Sequence, residues 1–392
     1  MTCTYQRQQH INEKGQENRM KVEYTVLRRS YELYEKEYEE AVLRALRSGW
    51  YILGPEMRAF EKEFAEYMGA KHCIAVNSGT DALILAFRAL GIKKGDEVIV
   101  PAGTYIASVM GITENGGTPV YVDSDEHLLM DADKIEEQIT EKTKVILPVH
   151  LYGQACQMDR IQAMAEKYGL FLVEDCAQSH GAKFGEKYTG TFGDLGCFSF
   201  YPTKPLGAFG DAGAILTDND ALAEKLVMLR NYGSRRKYHN ELQGVNSRMD
   251  ELQAAILRTG LMHMDENTER RKKIAERYLK GIQNHEIRLP KVSSTERHVF
   301  HLFPVCVQDR ADFQKYLLEQ EIGTQVHYPI PPCMAECYAE QRQQGSDYPR
   351  ALWIAEHEVS LPIYAGMPED EIEYVIQAVN RYRRERGDKH DL

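Results

Sequence analysis

The stretch LFLVEDCAQSHGA, residues 170–182, is a continuous apolar run that stops on two acids, Glu174 and Asp175. A strand apolar on both faces belongs inside a parallel sheet covered by helices, and the carboxyl edge of such a sheet is where open α/β folds bind ligands. Similar short runs stand on either side, at CIAV (73–76), EVIV (97–100), PVYV (119–122), VILPV (145–149), CFSF (197–200) and AGAIL (212–216). Helix-like spacing fills most of the gaps between them, as in DALILAFRAL (81–90), ADKIEEQI (132–139) and MDRIQAMAEKYG (158–169). Seven such runs alternating with helices predict an α/β fold whose large domain is built on a mostly parallel seven-stranded sheet.

Beyond this block the rhythm changes. Residues 24–68 carry helical spacing, interrupted at SGWYILGPE (48–56) by Gly49, Gly54 and Pro55. After residue 216 the chain turns charged and helical, with one long helix expected across about 248–280. HVFHLFPVCV (298–307) then reads as a strand that opens a smaller α+β region ending near 382. The expected division is a polar leader at 1–21, a large domain at 22–265 and a small C-terminal domain at 266–392, whose tail RYRRERGDKHDL (381–392) is charged.

Composition removes several classes of function. Lys+Arg 48 against Asp+Glu 59 leaves a formal charge of −11 over 392 residues, the wrong sign for a protein that wraps phosphate backbones. No run approaches the roughly 20 apolar residues of a membrane span, and MTCTYQRQQHINEKGQENRM lacks the apolar core of an export signal. The eight cysteines include no CxxC pair, and several lie inside apolar runs. They read as small buried hydrophobes in a reducing cytoplasm, with no metal site among them.

The chemistry-bearing residues gather at the ends of the apolar runs. In SFYPTKPLGAFGDAGAI (199–215), Lys204 sits in a Pro- and Gly-rich turn, five residues after Ser199. Surface exposure is the ordinary reading of a lysine. Here Gly207, Gly210 and Gly213 let backbone approach a ligand, and a lysine in a partly dry pocket loses its proton and forms a Schiff base with an aldehyde. Asp175, if buried, needs a cationic partner. A protonated pyridine nitrogen is one, and the acid would keep that ring an electron sink. Gln178 is placed to reach the ring oxygen or flank its face. In AVNSGTDALILAF (75–87) a strand runs through Ser78, Gly79, Thr80 and Asp81 into an apolar helix whose first N–H groups make an anion site, although Ser78 or Thr80 reads equally well as a plain cap. Tyr105, in PAGTYIAS (101–108), stands past a strand end, where an aromatic can stack on a planar ring. These are the parts that pyridoxal phosphate requires.

With those residues assembled, the chain resembles the DegT/DnrJ/EryC1/StrS sugar aminotransferases across nearly all of residues 22–382. SGWYILGPEMRAFEKEFAEYMGAKHCIAVNSGTDAL, LPVHLYGQ, EDCAQSHGA, SFYPTK and GVNSRMDELQAA carry the likeness. It implies a fold-type I transferase with Lys204 bonded to pyridoxal 5′-phosphate and Asp175 paired with the pyridine nitrogen. It further implies that Gln178 contacts the ring side, that Ser199 and the backbone of Gly79, Thr80 and Asp81 hold the phosphate, and that Tyr105 stacks on the ring. Asn246, in GVNSR, matches the residue that reaches the phosphate of a neighbouring subunit, which implies a homodimer with shared active sites. Arg248 is suited to the carboxylate of the amino donor, L-glutamate. The chain departs slightly from the family at Asp211-Ala212-Gly213, where a Gly-Gly pair is common.

The reaction so implied is transamination of a nucleotide-linked keto-sugar, with Lys204 moving a proton as general acid and base. PAGTYIASVMGITENGGTPVYVD (101–123) and GTQVHYPIPP (323–332) look most like enzymes acting at C3 of dTDP-3-keto-6-deoxyhexoses. His327, Tyr328 and Tyr201 are then the sugar-binding residues, unless HYP is only a packed turn. Cys333 stands where this resemblance leads one to expect a histidine. The alternative is C4 amination of a UDP- or dTDP-4-keto-6-deoxyhexose. Sugar dehydration, in which a histidine replaces the lysine, is disfavoured by Lys204. A nicotinamide oxidoreductase is disfavoured by the absence of GxGxxG after the first strand, and a non-catalytic sensor by the lack of a basic or helix-turn-helix appendage.

Overall fold

The computed structural model describes residues 20–292, 296–341 and 348–384. Two helices, α1 (Glu35–Ser48) and α2 (Pro55–Met68), lead into β1 (His72–Val76) and α3 (Gly79–Leu90). The chain continues through β2 (Glu97–Pro101), α4 (Ile106–Thr113), β3 (Thr118–Val122), β4 (Thr143–Ile146), α5 (Met158–Tyr168), β5 (Phe171–Asp175), β6 (Leu195–Ser199) and β7 (Gly213–Thr217). All seven apolar runs become the strands of one sheet, ordered β1-β7-β6-β5-β4-β2-β3. Only β7 runs against its neighbours; the other pairings are parallel. The runs are apolar throughout because alternate residues feed opposite cores. Val98 and Val100 pack in the cluster around α3, whereas Ile99 packs with Ile146, Ile161 and Leu172 on the other face. Each such side chain contributes about 1.5–3 kcal/mol when fully buried, so a polar residue on either face is costly unless its hydrogen bonds are met.

The chain runs on through α6 (Asp220–Leu229), α7 (Glu251–Met262), α8 (Met264–Gly281), β8 (Ile287–Arg288), β9 (Phe303–Val307), α9 (Arg310–Glu319), α10 (Pro349–His357), β10 (Glu358–Leu361) and α11 (Glu369–Arg381). Of these, α8, α9, α11 and the three strands build a second core, whereas α6, α7 and α10 pack on the first unit. β8, β9 and β10 form an antiparallel sheet in that order. Ile274 and Tyr278 of α8 pack there with Phe303, Phe313, Val359 and Val375, whereas Leu257 of α7 belongs to the first unit. On that change of partner we propose the domain boundary at 265/266, near the start of α8. The N-terminal segment returns to the second core as well, since Val22 packs in it and pairs with Ile322.

Three segments differ from their periodicity. ADKIEEQI forms two short 3₁₀ turns, Ala132–Lys134 and Glu136–Gln138, because its few apolar anchors are too little to stabilise an α-helix of that length. The long helix expected across 248–280 breaks at His263 into α7 and α8. The His263 ring stacks on Tyr34 at 3.7 Å and its Nε2 meets Glu37 at 2.7 Å, which fixes the break. Residues 298–302 do not continue β9. Val299 and Leu302 donate their N–H groups to Gly153 and Tyr152 instead, which carries His301 inward.

Six of the described cysteines are buried and unbridged, and Cys337 is exposed. Cys333, at the position of the missing histidine, packs in the first core. Cys3, the leader at 1–19 and the tail at 385–392 lie outside the described residues. Among the described residues no helix is long and apolar enough to cross a membrane.

One carboxylate ties the helices together. Glu251, buried at the start of α7, accepts the N–H groups of Gly54 and Met57 at 2.8 and 3.1 Å on one oxygen and that of Glu56 at 2.8 Å on the other. It therefore satisfies the donors that α2 leaves free at its N-terminus. Glu251→Ala is expected to lower unfolding free energy by about 3 kcal/mol, because three buried donors lose their acceptor. Denaturant titration of the cofactor-free protein reads this; a loss under about 0.5 kcal/mol would contradict it.

Candidate active site

The site is built around the end of β5. Asp175 is buried, and its carboxylate accepts the Ser108 hydroxyl at 2.7 Å and the Ala177 N–H at 3.1 Å. Burial raises its pKa, opposed by Ser108, the Ala177 amide, the Lys204 ammonium and His150. Two hydrogen bonds thus leave this acid short of the cation that burial demands. The preceding residue fixes its place. Glu174 accepts the N–H groups of Gly190, Phe192 and Gly193 at 2.7, 2.7 and 3.0 Å, and its fourth partner is His150 Nε2 at 3.0 Å. Because His150 Nδ1 accepts the Cys156 N–H at 3.0 Å, the proton of a neutral ring sits on Nε2 and points at Glu174. Glu174 is therefore a structural lock, and Asp175 is the acid that faces the site.

Lys204 lies on the loop after β6, where its N–H donates to the Tyr201 carbonyl at 2.8 Å. The residue keeps some solvent exposure, yet its amine end is enclosed. Burial lowers its pKa to about 8, against the opposing pull of Asp175. Three histidines feel the same ammonium: burial, and then Lys204, lowers His180 to about 3, His327 to about 4, and His301 well below its ordinary value. Both ring nitrogens of His180 and the Nδ1 of His301 are buried without a partner of hydrogen-bond geometry. The lysine therefore has neutral imidazoles in its electrostatic neighbourhood.

The segment expected to cradle a phosphate lies at the start of α3. Ser78 caps the helix by accepting the Asp81 N–H at 3.1 Å, so that amide, one of the expected phosphate donors, is already engaged. The N–H groups of Gly79 and Thr80 remain as first-turn donors. Ser199 stands against them. A Cβ on Gly79 would lie 2.4 Å from Ser199 Cβ, and one on Gly213 would lie 2.3 Å from the Ser78 carbonyl oxygen. Only glycine permits that closeness of helix start, β6 and β7. Ser247 hydroxyl donates to Asp81 at 2.6 Å and accepts the Asn77 N–H at 3.1 Å, which straps the GVNSR loop to the cradle and leaves Asn246 exposed beside it.

Of the remaining expected residues, Tyr105, Gln178 and Tyr328 meet. The Tyr105 and Tyr328 rings are 4.9 Å apart, and Gln178 Nε2 donates to Tyr328 hydroxyl at 3.0 Å while its Oε1 accepts the Tyr152 N–H at 2.6 Å. Tyr201 has its side chain half exposed beside the lysine loop. Arg248 is held elsewhere, against the Tyr232 ring at 5.5 Å and Asn231 Oδ1 at 3.1 Å. Sequence reasoning passed over Ser108, His150, His180 and His301. The first follows Tyr105 by one helical turn, a signal that was open to use, whereas the histidines reach the site from distant segments.

This donor set fits pyridoxal phosphate. It offers free amides and a hydroxyl for a phosphate, a buried acid lacking a cation for the pyridine nitrogen, and an amine of lowered pKa for the aldehyde.

Comparison with known proteins agrees with that chemistry. The model of the DegT/DnrJ/EryC1/StrS aminotransferase family matches residues 33–380. The dTDP-3-amino-3,6-dideoxy-alpha-D-galactopyranose transaminase of Aneurinibacillus thermoaerophilus is 51% identical over 350 residues, 89% of this chain and 96% of the relative. The crystal structure of DesV from Streptomyces venezuelae superposes with a TM-score of 0.90 at 44% identity, covering 92% of this chain and 98% of that one. NtdA from Bacillus subtilis, solved with bound cofactor PMP, gives a TM-score of 0.86 at 34% identity, covering 93% and 86%.

Two outcomes are expected from this geometry. Gly79→Ala must force the start of α3 and β6 apart, because the added Cβ meets Ser199 Cβ and Cα, so pyridoxal phosphate affinity should fall at least about tenfold and the cofactor-free protein should also lose stability. Equilibrium dialysis reads the first part, and undiminished affinity would contradict it. Because Lys204 titrates at about 8, its neutral and reactive form grows as pH rises through that value. The rate of cofactor capture by the cofactor-free protein should therefore rise to a plateau by about pH 9; a continued rise toward about pH 10.5, as for an ordinary lysine, would contradict this.

Proposed function

The chain belongs to the DegT/DnrJ/EryC1/StrS family and is a pyridoxal phosphate-dependent aminotransferase; from that premise we propose that it aminates a dTDP-3-keto-6-deoxyhexose at C3 with L-glutamate as donor. The observation that carries this is Lys204, an enclosed amine of lowered pKa in the field of a buried Asp175. The choice of C3 is supported by the 51% identical relative, whose name gives a dTDP-3-amino sugar. C4 amination of a UDP- or dTDP-4-keto-6-deoxyhexose would use the same machinery with the sugar turned, and no feature of the site favours it.

In this reading Asp175 holds the pyridine nitrogen, Gln178 the ring oxygen, Tyr105 the ring face, and Ser199 with the start of α3 the phosphate. When bound, the cofactor supplies an electron sink that carries the amino group from donor to sugar. The protein does the rest. Ser108 keeps one oxygen of Asp175 hydrogen-bonded and so directs the acid into the site. Lys204 Nζ, titrating near neutrality, takes a proton from one carbon and returns it to another, work for which an ordinary lysine is too basic. His327, Tyr328 and Tyr201 bind the sugar. Arg248 receives the donor's carboxylate after leaving Asn231, a group to which it is only singly bonded.

We further propose a homodimer with shared sites. Trp50, Tyr51, Phe209 and Tyr232 are about half exposed, and the segments that carry them adjoin α7 or its approach. An apolar collar of that kind commonly marks an interface. Asn246, exposed at the cradle's rim, would complete the partner's phosphate site.

The experiments are direct. Lys204→Ala should abolish turnover, a fall beyond about 10³-fold, together with the yellow absorbance of the loaded protein. A panel of nucleotide keto-sugars with glutamate, followed by 2-oxoglutarate release, should favour 3-keto isomers; activity on 4-keto sugars alone would overturn the C3 reading. Mixing inactive Asn246→Ala and Lys204→Ala dimers should restore activity through one intact site per hybrid. No restoration after subunit exchange would overturn shared sites.

A further inference from the structure

β10 places Glu358 and Ser360 two residues apart, so both side chains leave the same face of the strand, toward the segment that carries His327. Glu358 and Ser360 are fully buried. One Glu358 oxygen accepts the His327 backbone N–H at 2.7 Å, and the other meets the Ser360 hydroxyl. The same hydroxyl is 2.9 Å from His327 Nδ1. Among the described residues no hydrogen bond is made by His327 Nε2, the nitrogen left for a ligand, and Tyr152 hydroxyl holds the His327 carbonyl at 2.9 Å.

A hydroxyl has one proton. If Ser360 donates to Glu358, it accepts from Nδ1–H, and Nε2 is a bare acceptor. If Glu358 is protonated and donates to Ser360, then Ser360 donates to Nδ1, and the ring hydrogen sits on Nε2. We propose that Glu358 and Ser360 form a proton relay that sets which nitrogen of His327 carries hydrogen, and so whether the ring offers the sugar a donor or an acceptor. The step balances without an ionised ring. Transfer of the Nε2 proton to a substrate oxygen breaks that N–H bond and forms an O–H bond. Nδ1 then takes the Ser360 proton, Ser360 takes the Glu358 proton, and the negative charge ends on the carboxylate.

The surroundings suit a relay of this kind. Burial lifts Glu358 to about 8, opposed by Ser360, the His327 amide and Arg310 of α9, so both carboxyl states are reachable. Tyr24 from the N-terminal segment, Tyr152, Tyr328 and Cys306 of β9 face Glu358, and burial raises the pKa of each, so they remain neutral there. Tyr24 hydroxyl adjoins Ser360 without reaching hydrogen-bond geometry. Around His327, Lys204 and the neutral His301 complete the charged and titratable neighbours, with Arg271 beyond His301. Burial and Lys204 both keep the ring from becoming a cation, so it changes by tautomer rather than by charge.

The functional half of the proposal rests on the reading that His327 touches the sugar. Histidine ¹⁵N spectra of the cofactor-loaded protein test the relay itself. His327 Nε2 should be pyrrole-type at about pH 6.5 and become pyridine-type as pH rises through about 8, where the carboxylate forms. In Glu358→Gln the amide oxygen keeps the His327 N–H and its NH₂ donates to Ser360, so Nε2 should stay pyrrole-type throughout. That variant should also lose one of the two ionisations near pH 8 in kcat/KM for the sugar nucleotide, that of Lys204 remaining, while KM for glutamate and the cofactor absorbance stay unchanged. Ser360→Ala should uncouple the ring from Glu358, and Ser360→Thr should restore the coupling. A wild-type ring that keeps one tautomer from about pH 6 to about pH 10, or a Glu358→Gln ring that still switches, would overturn the relay. An unchanged sugar KM in His327→Ala would overturn the sugar contact, and the spectra would still decide the relay.

Discussion

A carboxylate without enough partners governs this molecule. Asp175 ends the central strand of the sheet, in the dry interior, with one hydroxyl and one amide to hold it. Burying an uncompensated acid costs several kcal/mol, and the fold keeps it because β5 cannot move. Glu174, one residue earlier, is locked by four donors, three of them backbone amides of residues 190–193. The two adjacent acids therefore divide the labour. One spends its hydrogen-bonding capacity on structure, and the other retains capacity for a ligand.

The lysine follows from the same constraint. Its amine is enclosed near Asp175, so burial pulls its pKa down and the acid pushes it partway back, to about 8. That is close to neutrality from above, where a lysine is both nucleophile and proton carrier. The neutral histidines around it sharpen the balance. A protonated His180 or His301 would be repelled by the ammonium, and burial prevents that charge from forming. Glycines at 79 and 213 let three backbone segments converge at the start of α3, the proposed phosphate cradle.

Much of this was legible in the residues. The seven strands were, because a strand buried on both faces is a continuous apolar run and leaves little ambiguity. Lys204, Asp175 and the start of α3 were, because each is a local strand–turn signal, and the order of these signals along the chain matched one cofactor. What failed was local too: ADKIEEQI has helical spacing but too few buried side chains, and the break at His263 depends on Tyr34 and Glu37, over 200 residues earlier. The supporting side chains were hidden for the same reason. His150, His180, His301, Ser360 and Glu358 are ordinary residues in their own segments, and only the fold turns them toward Lys204, Glu174 or His327.

The central claim is that Lys204 is the amine that bonds to pyridoxal phosphate. Borohydride reduction of the loaded protein, followed by proteolysis and mass spectrometry, tests it most directly, since reduction makes the bond permanent. The account expects one phosphopyridoxyl group per chain, on the peptide containing Lys204, with no adduct when the cofactor is omitted. An adduct on another lysine, or none in protein that binds the cofactor, would contradict it.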